Sequence, residues 1–156
     1  MIEVDIPGFG DLRLTHLVCD YNGTLARDGV LLPGVAAALR VMADEVQIHV
    51  VTADTFGQAT GQLVGLPLRL TVISAASQTE AKLAYVLRLG VDGVAVIGNG
   101  RNDAPMLKAA SVGIALVQGE GGAADAVAAA DISAGSILDA LGLLREPRRL
   151  IATLRA

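Results

Sequence analysis

The chain has 156 residues, a formal net charge of −4, and a hydrophobic content of 53% with only 3% aromatic residues. This length fits one domain with a substantial core, and an aliphatic core is typical of a sheet covered by helices on both faces. The acidic balance argues against nucleic-acid binding, and no run approaches the roughly 18 uncharged apolar residues of a membrane-spanning helix.

The single cysteine and the N-terminus bear on the cellular compartment. Cys19 has no second cysteine with which to form an internal disulfide, and the first residues lack the basic and apolar regions of a secretory signal. Both observations favour a reducing cytoplasm. Because Cys19 lies in an apolar run, we expect it to fill the core rather than to act as a reactive thiol.

Taken in chain order, the sequence predicts strands that alternate with helices after an N-terminal pair of strands. The N-terminal strands, 2–6 and 11–19, are joined at residues 7–10, and residues 26–32 indicate a small flap. The remaining predicted elements are, in order, a helix opened by Pro33 and Gly34 and running to about Asp44, a strand at 46–51, a helix ending at about Val64, a strand at 68–73, a helix at 77–89, a strand at 94–97, a helix from Ala104, a strand at 112–117, a helix at 123–130, a marginal strand at 132–134 and a helix at 137–154, in which a break near Pro147 is left open. We expect a single domain over residues 1–156, with about residues 1–13 as an N-terminal strand extension.

This alternation implies a mostly parallel sheet with right-handed crossovers. Asp20, Thr52 and residues 99–103 each follow the carboxyl end of a predicted strand, so all of them would lie on one edge of the sheet. Ligands bind at that edge in open α/β sheets. Lys82 stands near the start of a helix that begins from the same edge, so its ammonium group could reach the same centre.

Asp20 ends an apolar strand and is followed by a turn at Gly23. A buried strand tolerates a carboxylate at its end only when a metal, backbone amides or a lysine compensates the charge. Gly23 lets the backbone turn sharply and approach a ligand closely. Asp20 is therefore a candidate nucleophile or metal ligand, and an ordinary aspartate at a strand-to-turn junction is the alternative.

An aspartate, a hydroxyl, a lysine and a second acidic group suit phosphoryl transfer through an aspartyl-phosphate. A bound Mg²⁺ relieves the repulsion between a carboxylate and a phosphate, while a lysine and backbone amides hold the equatorial oxygens. The oxygen-only set of Asp20, Asn99, Asp103 and a backbone carbonyl suits Mg²⁺ better than Zn²⁺.

Three motifs carry a resemblance to a known family. Asp20-Tyr-Asn-Gly-Thr-Leu resembles the phosphorylation motif of the haloacid dehalogenase superfamily, in particular the Asp-Lys-Thr-Gly-Thr of P-type ATPases, and Thr52-Ala53-Asp54 is similar to their Thr-Gly-Asp. Residues 99–115, Asn-Gly-Arg-Asn-Asp-Ala-Pro-Met-Leu-Lys-Ala-Ala-Ser-Val-Gly-Ile-Ala, resemble the hinge motif Gly-Asp-Gly-x-Asn-Asp-Ala-Pro-Ala-Leu and the segment that follows it. With weaker likeness at 130–132 and 148–151, the resemblance covers nearly everything after residue 17.

The resemblance implies a capless, three-layer Rossmann-like α/β fold and a role for each matching residue. Asp20 would accept the phosphoryl group and bind Mg²⁺ together with the backbone carbonyl of Asn22, and Asn99 and Asp103 would complete the metal site directly or through water. Thr52 and Lys82 would hold the phosphate. The supporting residues of the phosphate-binding loops would be Gly23, Thr24, which orders the loop, Ala53 and Asn102.

Three departures from the family pattern matter. Asn22 stands where superfamily phosphatases carry a general acid and base, and an amide cannot transfer a proton in that way. Asn99 replaces the first aspartate of the hinge motif, so Mg²⁺ affinity should fall. Only 31 residues separate Asp20 from Thr52, which leaves no room for the ATP-binding domain of a P-type pump.

These features predict a slow Mg²⁺-dependent phosphohydrolase or phosphotransferase that acts on a small phosphorylated compound through an aspartyl-phosphate. The alternatives are a degenerate domain that binds Mg²⁺, phosphate or a protein without turnover, and a slow soluble ATPase. An open, capless edge with spare apolar surface favours a homodimer or tetramer, and we expect neither nucleic acid nor membrane as a partner.

Other polar residues have simpler interpretations. His16 and His49 lie inside predicted strands and are expected to be structural, and Asp54 is better explained as a helix cap than as a nucleotide contact. Lys82 alone would be a solvated helix lysine, and only its place in the pattern makes it a site residue. A group of basic residues near the C-terminus is expected to form a solvated helix face: Arg145, Arg148, Arg149 and Arg155.

Overall fold

The structure, a computed structural model, describes residues 1–54 and 57–156, which form ten strands and seven α-helices besides three short 3₁₀ turns. The strands are β1 (Ile2–Ile6), β2 (Gly10–Leu14), β3 (His16–Cys19), β4 (Ala26–Arg27), β5 (Val30–Leu31), β6 (Gln47–Thr52), β7 (Arg69–Val72), β8 (Val94–Gly98), β9 (Val112–Leu116) and β10 (Ile132–Ala134). The helices are α1 (Val35–Met42), α2 (Ala59–Gln62), α3 (Gln78–Leu89), α4 (Ala104–Ala109), α5 (Ala124–Ala129), α6 (Ile137–Arg145) and α7 (Pro147–Leu154).

Six parallel strands form the central sheet in the order β10-β9-β8-β3-β6-β7. Strand β3 lies near the middle, and its last residue, Cys19, is opposite Val50 of β6 and Ile97 of β8. The carboxyl ends of these three strands therefore reach the same edge of the sheet. That alignment places the residue after β3, Asp20, at the centre of the edge.

Helices cover both faces of this sheet. On one face, Val18 of β3 belongs to a buried cluster with Val86 of α3 and Met106 of α4. On the other face, Leu17 belongs to a larger cluster with residues of α1, α6 and the β1–β2 hairpin, and Cys19 is buried there as expected. Because successive strand residues point to opposite faces, this division gives three layers. The predicted α/β fold with a parallel sheet is confirmed.

The predicted strand over residues 11–19 is wrong because the chain changes sheets at Thr15. Strand β2 pairs with β1 in an antiparallel hairpin, whereas β3 joins the central sheet. The Thr15 N–H donates to the Gly93 carbonyl at 2.9 Å, and the Thr15 carbonyl accepts from the Gln47 N–H at 2.9 Å. Burial alternates in β2 but becomes continuous over residues 17–19, which marks the passage from a one-sided hairpin to a sheet covered on both faces.

Proline divides the C-terminal helical region into two helices. Helix α6 ends at Arg145 and α7 begins at Pro147, where the missing N–H costs no intrahelical hydrogen bond. The helix expected to end at about Val64 is shorter, since α2 covers only Ala59–Gln62, and residues 55–56 at its expected start lie outside the described residues. Across the described ranges, no helix is both long and apolar enough to span a bilayer.

The predicted flap at residues 26–32 is a short hairpin of β4 and β5 beside the carboxyl edge. The Tyr21 hydroxyl donates to the Gly29 carbonyl at 2.8 Å, which ties the hairpin turn to the loop after β3. No second globular unit covers the edge within residues 1–54 and 57–156. The described domain is therefore capless.

Candidate functional site

A buried lysine joins two carboxylates at the carboxyl edge. Lys82, on the second turn of α3, places its Nζ 2.9 Å from Oδ1 of Asp20 and 2.8 Å from Oδ1 of Asp103. The same Nζ donates to Oδ1 of Asn102 at 3.0 Å. An ammonium group has three N–H donors, so these three acceptors use all of them. Residues from β3, α3 and the loop after β8 thus meet at one point.

The charges of this cluster do not cancel. Lys82 is 1% exposed and Asp103 is fully buried, and together with Asp20 they carry a formal charge of −1. Burial raises the pKa of Asp103 to about 6, and the neighbouring charge of Asp20 adds to that shift while Lys82 opposes it. Burial lowers the pKa of Lys82, but the two carboxylates outweigh this effect and the net shift is upward. The excess negative charge makes the cluster attractive to a cation.

Asp103 is held rigidly by the loop after β8. Its Oδ2 accepts the backbone N–H groups of Asn99 at 3.1 Å and Gly100 at 2.9 Å, while its Oδ1 faces Lys82. Gly98 makes room for this carboxylate, because a Cβ added there would lie 2.7 Å from Cγ of Asp103. Any larger residue at position 98 must therefore displace Asp103.

The loop after Asp20 turns tightly around the carbonyl of Tyr21, which accepts the N–H groups of residues 24, 25 and 26. Gly23 has a φ of +80°, and a Cβ at this position would run into the side chain of Asn99. Glycine is therefore required both by backbone conformation and by space. The Thr24 hydroxyl lies 3.2 Å from Oδ2 of Asp20 and 3.3 Å from Oδ1 of Asn99, so its single hydrogen can be donated to either of these two site residues.

Oxygen donors surround this loop in a set that suits a hard divalent cation. The Nδ2 of Asn99 donates to the Gly121 carbonyl at 3.1 Å, which turns its Oδ1 toward the site. Among the described residues, the carbonyl of Asn22 accepts no hydrogen bond. Asp20 and Asp103 supply carboxylates, but the described residues contain no group of three His, Cys, Asp or Glu side chains arranged around a metal position. The two asparagines therefore give a candidate site that fits Mg²⁺ in donor type and carries fewer charges than an all-carboxylate set.

Thr52 and Ala53 lie on the same edge but outside this hydrogen-bonded cluster. Thr52 is buried at the end of β6, and its Oγ1 accepts the Asp54 N–H at 3.1 Å, so its hydroxyl hydrogen can be donated to a ligand. No hydrogen bond within the described residues joins Thr52 to Asp20 or Lys82. Oδ1 of Asp54 accepts the N–H of Ala59, the first residue of α2, at 2.9 Å, so Asp54 satisfies a helix-start N–H, but the N-cap position is Gln58 and the expectation that Asp54 occupies it is wrong.

Two glutamines complete the arrangement and were not identified from the sequence. Oε1 of Gln78 accepts from Nδ2 of Asn102 at 3.1 Å and so fixes the amide that contacts Lys82. Gln118 donates from Nε2 to the carbonyls of Gly23 and Thr24. Gln118 lies two residues beyond the end of β9, so the same rule that located Asp20 could have indicated it.

The two histidines lie at the opposite end of the strands. Nδ1 of His16 is 3.1 Å from Nε2 of His49, and Nδ1 of His49 is 2.8 Å from the Tyr85 hydroxyl. Burial lowers the pKa of His49 to about 4, with further lowering by His16 and Arg69. These contacts fit the expected structural role.

Comparison with known proteins supports the resemblance drawn from the motifs. No protein-family model matches the chain. A probable cadmium-transporting ATPase of Listeria monocytogenes is 38% identical over 78 residues, which cover 49% of this chain and 11% of the relative. The chain therefore spans about a tenth of the length of that relative.

Two solved structures show how far the similarity extends. A zinc-transporting PIB-type ATPase matches 79% of this chain and 20% of its own, with a TM-score of 0.62 and 28% identity. The 3-deoxy-D-manno-octulosonate 8-phosphate phosphatase of Moraxella catarrhalis, solved with magnesium, phosphate and the sugar acid, matches 91% of this chain and 94% of its own, with a TM-score of 0.63 and 14% identity. The second likeness concerns the fold alone. By its motifs, its sheet and these relatives, the chain has the fold of haloacid dehalogenase-type phosphatases and is similar in sequence to P-type ATPases.

Proposed function

We propose that the protein is a Mg²⁺-dependent phosphohydrolase or phosphotransferase that acts on a small phosphorylated compound through a phosphorylated Asp20. The observation that supports this most strongly is the buried contact of Asp20 with Lys82, which also binds Asn102 and Asp103. A carboxylate held at the end of a central strand, beside a lysine and against an uncapped edge, suits nucleophilic attack on phosphorus.

In the first step, a carboxylate oxygen of Asp20 attacks phosphorus. The bond between phosphorus and the ester oxygen breaks, and the ester oxygen leaves with the bonding electron pair. Lys82 and the hydroxyl hydrogen of Thr52 bind the equatorial oxygens, over which negative charge spreads in the transition state. Asn102 orients Lys82, because its Oδ1 accepts from Nζ while its Nδ2 is held by Gln78. Asp103 fixes the other side of the lysine.

The metal would be held by carboxylate oxygens of Asp20 and Asp103, by Oδ1 of Asn99 and by the backbone carbonyl of Asn22, directly or through water. When bound, Mg²⁺ would relieve the electrostatic repulsion between a carboxylate and a phosphate. The formal charge of −1 on the cluster of Asp20, Lys82 and Asp103 favours such binding, and the missing carboxylates at positions 22 and 99 weaken it. The magnesium and phosphate of the Moraxella catarrhalis phosphatase support the same choice of metal.

Asn22 makes the second step slow. Hydrolysis of phospho-Asp20 needs a group that removes a proton from the attacking water, and an amide cannot serve as that base. Asn22 also cannot protonate the leaving oxygen in the first step. We therefore expect a preference for substrates with good leaving groups and accumulation of the phosphoenzyme.

Asn22 and Asn99 also favour a second candidate, a degenerate domain that binds Mg²⁺ and phosphate without turnover. A slow ATPase is the other enzymatic candidate, and the likeness to P-type ATPases is what favours it. The homodimer or tetramer and the cytoplasmic location stay predictions.

The test is hydrolysis of p-nitrophenyl phosphate with Mg²⁺, comparing the wild-type protein with Asp20→Asn. We expect slow turnover that the substitution abolishes, and beryllofluoride, which mimics a phosphorylated aspartate, should raise the melting temperature only when Asp20 is present. Turnover that survives Asp20→Asn would contradict the proposal. Stabilisation by beryllofluoride without turnover would favour the degenerate domain, and ATP should be tried as substrate beside the aryl phosphate.

A further inference from the structure

Gln118 joins the loop of the proposed nucleophile to a distant helix. Its Nε2 donates to the carbonyl of Gly23 at 3.0 Å and to that of Thr24 at 2.8 Å. Its Oε1 accepts the N–H of Ile137, the first residue of α6, at 3.0 Å. Both amide hydrogens are therefore used, and the side chain is half-buried.

The three contacts fix the orientation of the Gln118 amide. In the flipped orientation, Oε1 would face two carbonyl oxygens and Nε2 would face a backbone N–H, so all three hydrogen bonds would become repulsive. Ile137 N–H is one of the first N–H groups of α6, which have no partner within the helix. Gln118 thus satisfies a helix start and at the same time holds the loop.

The loop contact reaches the proposed nucleophile through one residue. The Thr24 carbonyl accepts from Gln118, and the Thr24 hydroxyl lies 3.2 Å from Oδ2 of Asp20. The other backbone bonds of the turn are local ones to the Tyr21 and Ala26 carbonyls and from Leu32 to the Leu25 carbonyl, and the Asp20 N–H before the turn donates to the Ile97 carbonyl of β8. Gln118 is therefore the contact that ties the backbone of this turn to β9 and α6, across more than 90 residues of sequence.

We propose that Gln118 is a positioning residue for phosphoryl transfer, which sets the turn at Gly23 and Thr24 and through it the orientation of the Asp20 carboxylate. This inference rests on the proposed function of Asp20. Gln118 contacts neither Asp20 nor the lysine, so it acts only through the loop.

Two substitutions separate the donor contacts of the Gln118 side chain from its acceptor contact. Gln118→Met keeps the approximate shape of the side chain but removes both the donors to the loop and the acceptor for the Ile137 N–H. Gln118→Glu keeps the acceptor for the Ile137 N–H and removes the donors to the loop. Ser136→Ala is the matched control, because Oγ of Ser136 accepts the Asp139 N–H at the start of the same helix and does not touch the loop. We expect both Gln118 variants to lower kcat for p-nitrophenyl phosphate by about 10- to 100-fold with a smaller change in KM, since small displacements of a catalytic group cost about that much.

A second readout does not depend on catalysis. Hydrogen exchange of the backbone amides in residues 20–26 should become faster in both Gln118 variants and stay unchanged in Ser136→Ala. Normal exchange of these amides together with unchanged kcat in both Gln118 variants would overturn the proposal. So would a Gln118→Glu variant that behaves as wild type while Gln118→Met is impaired, because only the helix contact would then matter. If the wild-type protein shows no turnover, the proposed function fails, and faster loop exchange would still support Gln118 as the residue that orders the loop.

Discussion

The two ends of the same central strands bury polar groups in opposite ways. Strand β3 begins at His16 and leads into Asp20, and helix α3 sends Lys82 to the carboxyl end and Tyr85 to the amino end. The carboxyl end holds a lysine in contact with two carboxylates, whereas the amino end holds two imidazole rings and a hydroxyl joined by hydrogen bonds. Both ends satisfy their hydrogen bonds, but only the carboxyl end pairs a lysine with carboxylates.

The two ends differ in what their buried polar groups contribute to the stability of the fold. Burying an ion pair brings little net stability, because desolvation offsets the attraction between the charges. At the amino end, burial instead keeps His49 neutral by lowering its pKa to about 4. The excess negative charge at the carboxyl end therefore suits the proposed Mg²⁺ site and is not explained by a gain in stability.

Removal of Lys82 should have the largest effect on the carboxyl end. In Lys82→Met, Asp20 and Asp103 lose the only cation they contact in the described part of the chain, and we expect a loss of about 3–5 kcal/mol in the free energy of unfolding and no detectable turnover. Urea denaturation and the p-nitrophenyl phosphate assay measure the two effects. Lys108→Met, an exposed lysine on α4, is the matched control and should change the stability by less than about 0.5 kcal/mol. Equal stability of the two variants would show that the buried lysine does not compensate the carboxylates.

The pH dependence of the free energy of unfolding tests the buried His49 at the amino end. The folded pKa of His49, about 4, lies below its ordinary value of 6.5, so between these values the unfolded chain binds more protons and the free energy of unfolding falls as pH falls. His49 is 2% exposed, and lowering the pH through both pKa values should reduce the free energy of unfolding by at most about 3 kcal/mol. Above about pH 6.5, His49 adds no pH dependence to the stability. Urea denaturation at about pH 7.5 and about pH 4.5 should show a smaller pH effect in His49→Gln than in the wild-type protein. An identical pH effect in both would contradict the buried neutral histidine.

Asn22→Asp should add a group that can transfer protons to the carboxyl end. A carboxyl group at this position can protonate the leaving oxygen and activate the water, so we expect steady-state turnover to rise about 100-fold. The lifetime of the phosphoenzyme, followed after acid quenching, should shorten. The double variant with Asp20→Asn should be inactive, which confirms that the gain passes through Asp20. Unchanged turnover and lifetime would mean that another residue activates the water.

The smallest expected effect concerns the metal. Asn99→Asp adds one negative charge to the proposed ligand set, so the Mg²⁺ concentration for half-maximal activity should fall roughly tenfold. Asn102→Asp is the control, because it adds the same charge beside Lys82 rather than on a proposed ligand. Equal shifts of the half-maximal Mg²⁺ concentration in both variants would mean that any added negative charge in the site strengthens Mg²⁺ binding. No shift in Asn99→Asp would show that Asn99 is not a ligand of the metal.

The sequence predicted which strand ends meet at the candidate site, because parallel strands bring their carboxyl ends to one edge whatever the details of packing. Asp20, Lys82 and Asp103 were identified in this way together with their motifs. The change of sheet at Thr15 was not, since Thr15 and His16 carry no turn signal and only the pairing partners reveal the change. The strand-end rule could have placed Gln118 at this edge, but not its contacts, because the two carbonyls and one N–H that it binds become neighbours only in the folded chain.

The complete use of the three Lys82 donors has a consequence for ligand affinity. An oxyanion that reaches Nζ must replace Asp20, Asp103 or Asn102 as an acceptor, so its binding energy is the difference between two hydrogen bonds rather than the gain of a new one. Binding at this lysine is an exchange of partners. Inorganic phosphate, the product of hydrolysis, should on this account be held weakly and leave readily, so product inhibition should be slight.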